Sequence, residues 1–262
     1  MTDINMKPGV GDKIIAFTNL YFNEFSKQAK ENNLTLDDDP TAFVFYLLDK
    51  IVENFAGAGE LLKLSERENG AYLKNSVYIL IRCNLSDAII ACWLFDNTDP
   101  NEQDDDTIKR KTEELRKDHI RFHLSYLKKM ESLGLLPAQE KKDELEIINS
   151  NYRHLLPNEI KFDLNIKGLL KGTSITDMLK EHNKHIKLLV EAYKNYFLLS
   201  KVEHTGEFTR MILERTYDKE NPMDDYLSNS IHVIESTIKA FVPLFFKREE
   251  FLKEIASFSV IE

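Results

Sequence analysis

A chain of 262 residues with 42% apolar side chains is long enough to bury a substantial core, as one large domain or two small ones. A formal net charge of −9 and a pI near 5.4 exclude a general affinity for nucleic acid or an anionic membrane, while a local basic site stays open. The N-terminal run MTDINMKPGVGDK has no basic segment followed by an apolar one, so no signal peptide is expected and the cytoplasm is the default compartment.

Residues 1–11 read as a loose lead-in, and 12–258 as a single helical domain with a subdivision near 134–172. Asp12 to Asn32 reads as a helix with Ile14, Thr18, Tyr21 and Phe25 on one face and Ile15 and Phe22 beside them. After a turn over Thr35 to Asp39, the pair Asp39-Pro40 marks a strong helix start, an acidic N-cap followed by proline in the first turn. That helix runs to Leu64 with Val44, Leu47, Leu48, Ile51 and Phe55 as its stripe. Gly57 and Gly59 near its end allow close helix contact or a break.

Ala71 to Asp96 is the most apolar long segment, and the rest of the chain is expected to pack around it. A helix of that length spans roughly 39 Å. Apolar residues fall on nearly every face, as in a core helix or a membrane span. Arg82, Asn84, Ser86 and Asp87 interrupt its middle, and charge at a bilayer centre is costly, so the segment reads as a buried helix. Buried charge is tolerated when paired and hydrogen-bonded. Arg82 therefore has two readings: it lines a polar cleft, or it is a structural arginine bonded to a carboxylate or to helix-end carbonyls. Tyr78, Arg82 and Ser86 share one face, and Asn84 and Asp87 another. Cys83 and Cys92 lie nine residues apart, on opposite faces, so they do not pair within this helix and suit a reducing compartment.

Asn97 to Asp106 is an acidic loop. Asp105 to Ser132 follows as a heavily charged helix whose core face is Ile108, Leu115, Phe122 and Tyr126. Gly134 ends it, and 138–154 reads as a shorter polar helix. Ile160, Phe162, Leu164 and Ile166 alternate like a strand, yet no partner strand is visible, so Leu155 to Gly172 is expected as an extended connector. Ser174 and Asp177 resemble a capping box that opens a short helix. A helix over 183–203 carries Ile186, Leu189, Val190, Tyr193 and Phe197, with Ser200 and His204 continuing the stripe. A short helix spans Gly206 to Thr216, and Asn221-Pro222 introduces a last long helix to Phe258, with Leu227, Ile231, Ile234, Ile238, Phe241 and Phe245 inward. Pro243 should kink it or mark a step. The sum is an all-α bundle of about seven or eight helices.

Several catalytic patterns are missing. No histidine has glutamate three residues before it, which removes the usual di-iron bundle motif, and His-Glu-x-x-His is absent. The run from Gly168 to Ser174 lacks Gly-Lys-Ser/Thr, and no Gly-x-Ser-x-Gly elbow occurs. His182 and His185 sit at the polar start of a helix, where solvated histidines are common, and the acid runs 37–39 and 104–106 precede helices, where carboxylates favour the N-terminus. No metal and no cofactor is expected.

Two constellations remain. Ser200 and His204 share a face near a helix end, where His204 either titrates as an acid, base or ligand or caps the helix. Arg116 and His123, seven apart on one helical face, have the Arg-x(4–6)-His spacing of the all-helical HEPN ribonuclease superfamily, with Lys117 where a polar residue usually follows the arginine. In such a pair the arginine stabilises phosphorane-like charge and the histidine moves a proton.

The run Lys171 to Met178, then Tyr193 to Phe197, then Leu199, Ser200 and His204, resembles a group of uncharacterised all-helical bacterial proteins. In these a short capped helix precedes one ending in a Tyr…Leu-Ser…His pattern, and an earlier apolar helix carries a central arginine, matched here by Arg82. The resemblance covers about 71–96 and 165–210 and implies that Arg82, Ser200 and His204 converge as a ligand-binding set. It brings no activity, substrate or cofactor. The expected function is an interaction or regulatory module without catalysis, docking a protein partner or a second copy through its long amphipathic helices. The alternative is a HEPN-like phosphodiesterase, ribonuclease or nucleotide-binding protein that uses an Arg/His pair.

Overall fold

The computed structural model describes residues 9–31, 39–65, 73–94, 105–156, 174–178, 186–203 and 222–261. It is all-α, and no strand occurs among the described residues. The helices are α1 (Val10–Lys30), α2 (Asp39–Ser65), α3 (Lys74–Leu94), α4 (Asp105–Ser132), α5 (Ala138–Asn151), α6 (Ile175–Met178), α7 (Ile186–Glu203), α8 (Pro222–Phe245) and α9 (Glu249–Ser257), with a 3₁₀ turn over Arg153–Leu155. Most of the expected connector and all of the expected helix at 206–216 lie outside the described residues. The chain divides into two compact units, Met1–Gln103 with Leu179–Glu262, and Asp104–Met178. The smaller unit contains the 134–172 stretch at which the sequence reading placed a subdivision of one domain.

In the larger unit α3 is the hub and packs against α2, α7 and α8. Its sequence allows this because every side of the helix is apolar. Val77, Ile81, Leu85, Ala88, Ile89, Cys92 and Trp93 are buried across about 160° of the helix, and Ala91 and Leu94 extend the buried arc beyond them. The stretch Ser76–Leu94 is long and apolar enough to cross a membrane, yet 67% of it is buried inside the bundle. The α2 stripe of Val44, Leu47, Leu48, Ile51 and Phe55 is buried as its spacing requires. On α1 the buried face is Ile14, Phe17, Thr18, Tyr21, Glu24 and Gln28, rotated from the predicted one so that Phe25 is only half-buried.

Helices α1 and α2 cross closely enough to demand glycine on both. A Cβ on Gly59 would lie 2.7 Å from the Ile14 side chain, and one on Gly11 would lie 2.6 Å from the Lys63 backbone nitrogen. Of the close contact or break that the sequence allows at Gly57 and Gly59, Gly59 makes the contact, and the helix runs unbroken to Ser65. Gly11, read as part of the lead-in, is the counterpart of Gly59 inside α1.

The last long helix is two helices. Pro243 lies inside α8, which ends at Phe245, and Phe246 to Arg248 turn the chain into α9. Proline removes one backbone donor and crowds the preceding turn, which weakens the helix there. The break then points Phe246 into an aromatic cluster, its ring centroid 5.3 Å from Tyr21 and 5.5 Å from Phe251. The face Ile231, Ile234, Ile238 and Phe241 of α8 is buried, with Leu227 and Phe245 half-buried at its ends.

In the smaller unit α4 and α5 share a core of Ile120, Leu124, Leu127, Leu145 and Ile148, closed by Leu155 and Leu156. Gly134, with φ of 67°, ends the turn after α4, where the Leu135 amide donates to the Met130 carbonyl at 3.0 Å. The predicted core face of α4 holds only at its N-terminal end. Ile108 is buried and Leu115 half-buried, but Phe122 is 71% and Tyr126 52% exposed. The α5 helix packs instead on Ile120, Leu124 and Leu127, about 100–160° round the helix from Phe122 and Tyr126. On α7 the stripe also differs. Ala192, Asn195 and Leu199 are buried, whereas Val190 and Phe197 are exposed. The capping box forms as read: the Asp177 amide donates to Ser174 Oγ at 3.2 Å, and Ser174 Oγ donates to Asp177 Oδ2 at 2.7 Å.

Candidate functional site

The most informative polar group in the larger unit sits where α2, α3 and α7 meet. Burying most of α3 makes a polar residue there expensive, and the structure places four of them along the seam left open. Arg82, Cys83, Ser86 and Asp87 of α3 line a cleft of about 170 Å³ with Lys50 of α2 and Tyr196 of α7. Arg82 and Ser86 are one turn apart, and so are Cys83 and Asp87, so two adjacent lines of the helix supply all four.

Lys50 reaches into this cleft from the surface. Its Nζ donates to Asp87 Oδ1 at 3.0 Å and lies 2.9 Å from Oδ2, with the lysine side chain 58% exposed and the aspartate 8%. Burial raises the Asp87 pKa above the usual aspartate value, and the hydrogen bond and charge of Lys50 offset part of that rise. Arg82 is half-buried, its guanidinium carbon 5.8 Å from the centroid of the Tyr196 ring, in cation–π reach. Arg82 lines the cleft and is also held by a contact within the chain, so both readings the sequence left for it stand.

A buried ion pair elsewhere in the same unit shows what a structural charge looks like. Glu24 of α1 is 2% exposed and accepts from Arg248 Nε at 2.8 Å and from Gln28 Nε2 at 2.8 Å; Arg248 Nη2 contacts the same carboxylate. Burial alone would raise its pKa, but the hydrogen bonds from Arg248 and Gln28 prevail and hold the carboxyl below the usual glutamate value. This pair ties the start of α9 to α1. Near it, burial and the charge of Asp49 push the Tyr21 phenol far up, and burial followed by Glu53 raises Asp49.

Two other polar groups on α3 do not join the cleft. Tyr78, predicted on the face of Arg82, is buried. Asn84 is wholly buried, and neither its amide nitrogen nor its oxygen has a hydrogen-bond partner among the described residues. The two cysteines face apart as predicted. Cys83 is half-buried at the cleft, and Cys92 is buried beside Thr237, its thiol pushed up to about 12 by burial.

The remaining predicted residues divide between the units. Ser200 lies within α7, but its side chain, like His204, His182 and His185, is outside the described residues. Arg116 and His123 are on α4 in the smaller unit. His123 Nε2 lies 3.0 Å from Glu144 Oε2 of α5, with both side chains about one third exposed. Among the described residues no group of three or more His, Cys, Asp or Glu side chains is placed to hold a metal. Sequence reasoning missed Lys50 and Tyr196. Lys50 had a signal, a lone cation between Leu48 and Ile51 in the apolar run of α2; Tyr196 had none that set it apart from Tyr193 and Phe197.

No protein-family model, no curated protein and no solved structure matches this chain. The resemblance to helical bacterial proteins therefore rests on the quoted motifs.

Proposed function

We propose that this chain is a helical regulatory or interaction module without catalysis, and that the cleft at Arg82 reads a small anion. The observation that carries the proposal is the meeting of Lys50, Arg82 and Tyr196 from three helices around one opening. Lys50 and Arg82 bring cationic side chains to this opening in a protein whose net charge is −9, with Lys50 paired there to Asp87. Arginine presents a planar set of donors that suits a carboxylate or phosphate, and an aromatic face beside it helps to fix its plane. Size narrows the ligand. Pockets that enclose drug-sized molecules measure about 300–1,000 Å³. At about 170 Å³ the cleft suits an oxyanion or the anionic end of a larger molecule. The same reading sets the protein in the cytoplasm of a bacterial cell, in keeping with Cys83 and Cys92, which form no disulfide with each other.

The competing reading is the HEPN-like phosphodiesterase, ribonuclease or nucleotide-binding protein. Its support is the His123–Glu144 pair, because a carboxylate at one ring nitrogen orients an imidazole for proton transfer.

Thermal melting of the full chain with inorganic phosphate, acetate or a nucleoside monophosphate separates the two. Binding at about a hundred times Kd should raise the Tm by about 5 °C or more. The rise should disappear in Arg82→Ala and shrink in Tyr196→Ala, with helicity by circular dichroism unchanged. No shift with any of the three anions, or a shift that Arg82→Ala retains, overturns the cleft as the binding site. RNA cleavage by the pure protein that is lost in His123→Ala overturns the absence of catalysis.

A further inference from the structure

The exposed apolar stripe of α4 has a pattern that fits a second copy of itself. Ile120, Leu124 and Leu127 face α5, which leaves Phe122 (71% exposed) and Tyr126 (52%) on another side of the helix. Leu133 (56% exposed) continues the stripe after them, and the half-buried Leu115 precedes them. The spacings of four and seven residues put Leu115, Phe122 and Tyr126 on one line along α4, with Leu133 at the end of that line in the first residue of the turn. An aromatic pair left this open in a charged helix marks an interaction surface more often than scattered surface apolar residues do.

The edge of the stripe decides what covers it. Asp118 lies one turn before Phe122, and Lys129 lies just under a turn after Tyr126. Along the helix the order is Leu115, Asp118, Phe122, Tyr126, Lys129, Leu133. Take a two-fold axis midway between Phe122 and Tyr126. An antiparallel second copy then sets Leu115 against Leu133, Asp118 against Lys129 and Phe122 against Tyr126, each pair equidistant from the axis to within one residue. A parallel copy would set Asp118 against Asp118 and Lys129 against Lys129. A two-fold interface must be complementary to itself, and this stripe meets that condition in apolar contacts and in charge. Asp118 also accepts from Arg121 on its own helix; such a surface pair is weak and leaves the carboxylate open to a second cation.

We propose that the protein self-associates through α4, antiparallel across this stripe. The contact is narrow. A buried aromatic side chain contributes about 150–250 Å², so two aromatics and two leucines per copy fall short of the roughly 800 Å² per partner of a standard stable interface. The dimer is therefore reversible, with a concentration-dependent population. It depends on residues of the smaller unit only and does not rest on the Arg82 cleft, so either reading can fail without the other.

The test is sedimentation velocity on the full chain over a concentration series. Wild type should shift from monomer to dimer as concentration rises, and Phe122→Glu and Tyr126→Glu should each abolish the shift while circular dichroism stays unchanged. Asp118→Lys and Lys129→Asp should each weaken the dimer about tenfold, since symmetry replaces two attractive pairs with two repulsive ones. The double swap restores the pairing and should return the constant to near the wild-type value. A wild type that stays monomeric throughout overturns the proposal, as does a dimer that survives Phe122→Glu. Single swaps without effect, or a double swap that does not recover, overturn the antiparallel geometry.

Discussion

In the larger unit α3 is buried along nearly every face, with Trp93, Ile81, Leu85, Ala88 and Ile89 all wholly buried. In the smaller unit the C-terminal half of α4 buries one face, Ile120, Leu124 and Leu127, and leaves two aromatic side chains in solvent. The two helices therefore carry information in opposite residue types. On α3 apolar residues are ordinary, and a polar one such as Arg82 or Asp87 survives only where the bundle compensates it or uses it. On α4 charge is cheap, since most of it is solvated, and the exposed Phe122 and Tyr126 are what need explaining. One question, which side chain is in the wrong solvent, thus points to a cleft in one unit and to a docking stripe in the other.

The largest effect should come from the densest core. Trp93→Ala removes a wholly buried side chain from the hub helix and should cost about 3–5 kcal/mol, enough to threaten folding of the larger unit. Leu124→Ala removes a core side chain from the seven-residue cluster of the smaller unit and should cost about 2–3 kcal/mol, the low end for such a deletion, because a thin core collapses more easily around the gap. Differential scanning calorimetry distinguishes the two. Trp93→Ala should lower the main transition, and Leu124→Ala should lower or broaden a smaller one. If Leu124→Ala shifts the whole endotherm as far as Trp93→Ala does, the units unfold as one and the contrast between them is structural only.

A middle-sized effect tests how tightly the larger bundle is determined. Gly59→Ala puts a methyl group 2.7 Å from the Ile14 side chain at the α1–α2 crossing. It should cost about 1–3 kcal/mol by overpacking, read as a lower urea midpoint with an unchanged slope. Gly134→Ala is the matching change in the smaller unit. Nothing lies within 4 Å of its would-be Cβ, so any loss there reflects the positive φ alone and should stay near 1 kcal/mol.

The sequence made the fold class readable because periodicity is carried by many residues at once. The α2 and α8 stripes, the hub role of α3 and the Ser174–Asp177 cap all follow from patterns several residues deep. What it hid was azimuth. Ile108, Leu115, Phe122 and Tyr126 form a good stripe, and so do Ile120, Leu124 and Leu127; a helix with two apolar lines does not say which one its neighbour takes. The same ambiguity misplaced the α7 face, where the small Ala192 and the polar Asn195 are buried while Phe197 is exposed. Arg82 and Asp87 stood out in the sequence because their burial cost is local. Lys50 and Tyr196 did not, because their part in the cleft comes from helices that meet only in the folded chain.

The smallest effect separates two regions inside the larger bundle, the sealed pair of Glu24 with Arg248 and the open pair of Asp87 with Lys50. The sign differs between them. Glu24 titrates below its unfolded value of 4.5, so its ionised form contributes stability that is present above that pH and lost as pH falls through the folded pKa. Asp87 titrates above its unfolded value of 3.8, so its contribution is present below that pH and lost as pH rises through the folded pKa. Stability of wild type relative to Glu24→Gln should therefore rise as pH climbs from the acid side to about 4.5 and then level off, while stability relative to Asp87→Asn should fall from about 3.8 up to the raised folded value. Each single group can change the slope by at most about 1.4 kcal/mol per pH unit, which urea melts at closely spaced pH values resolve. Opposite slopes would mean that one carboxylate holds the fold together in its ionised form and the other is kept buried at a cost to it. Parallel slopes would make Asp87, like Glu24, a carboxylate whose ion pair stabilises the fold.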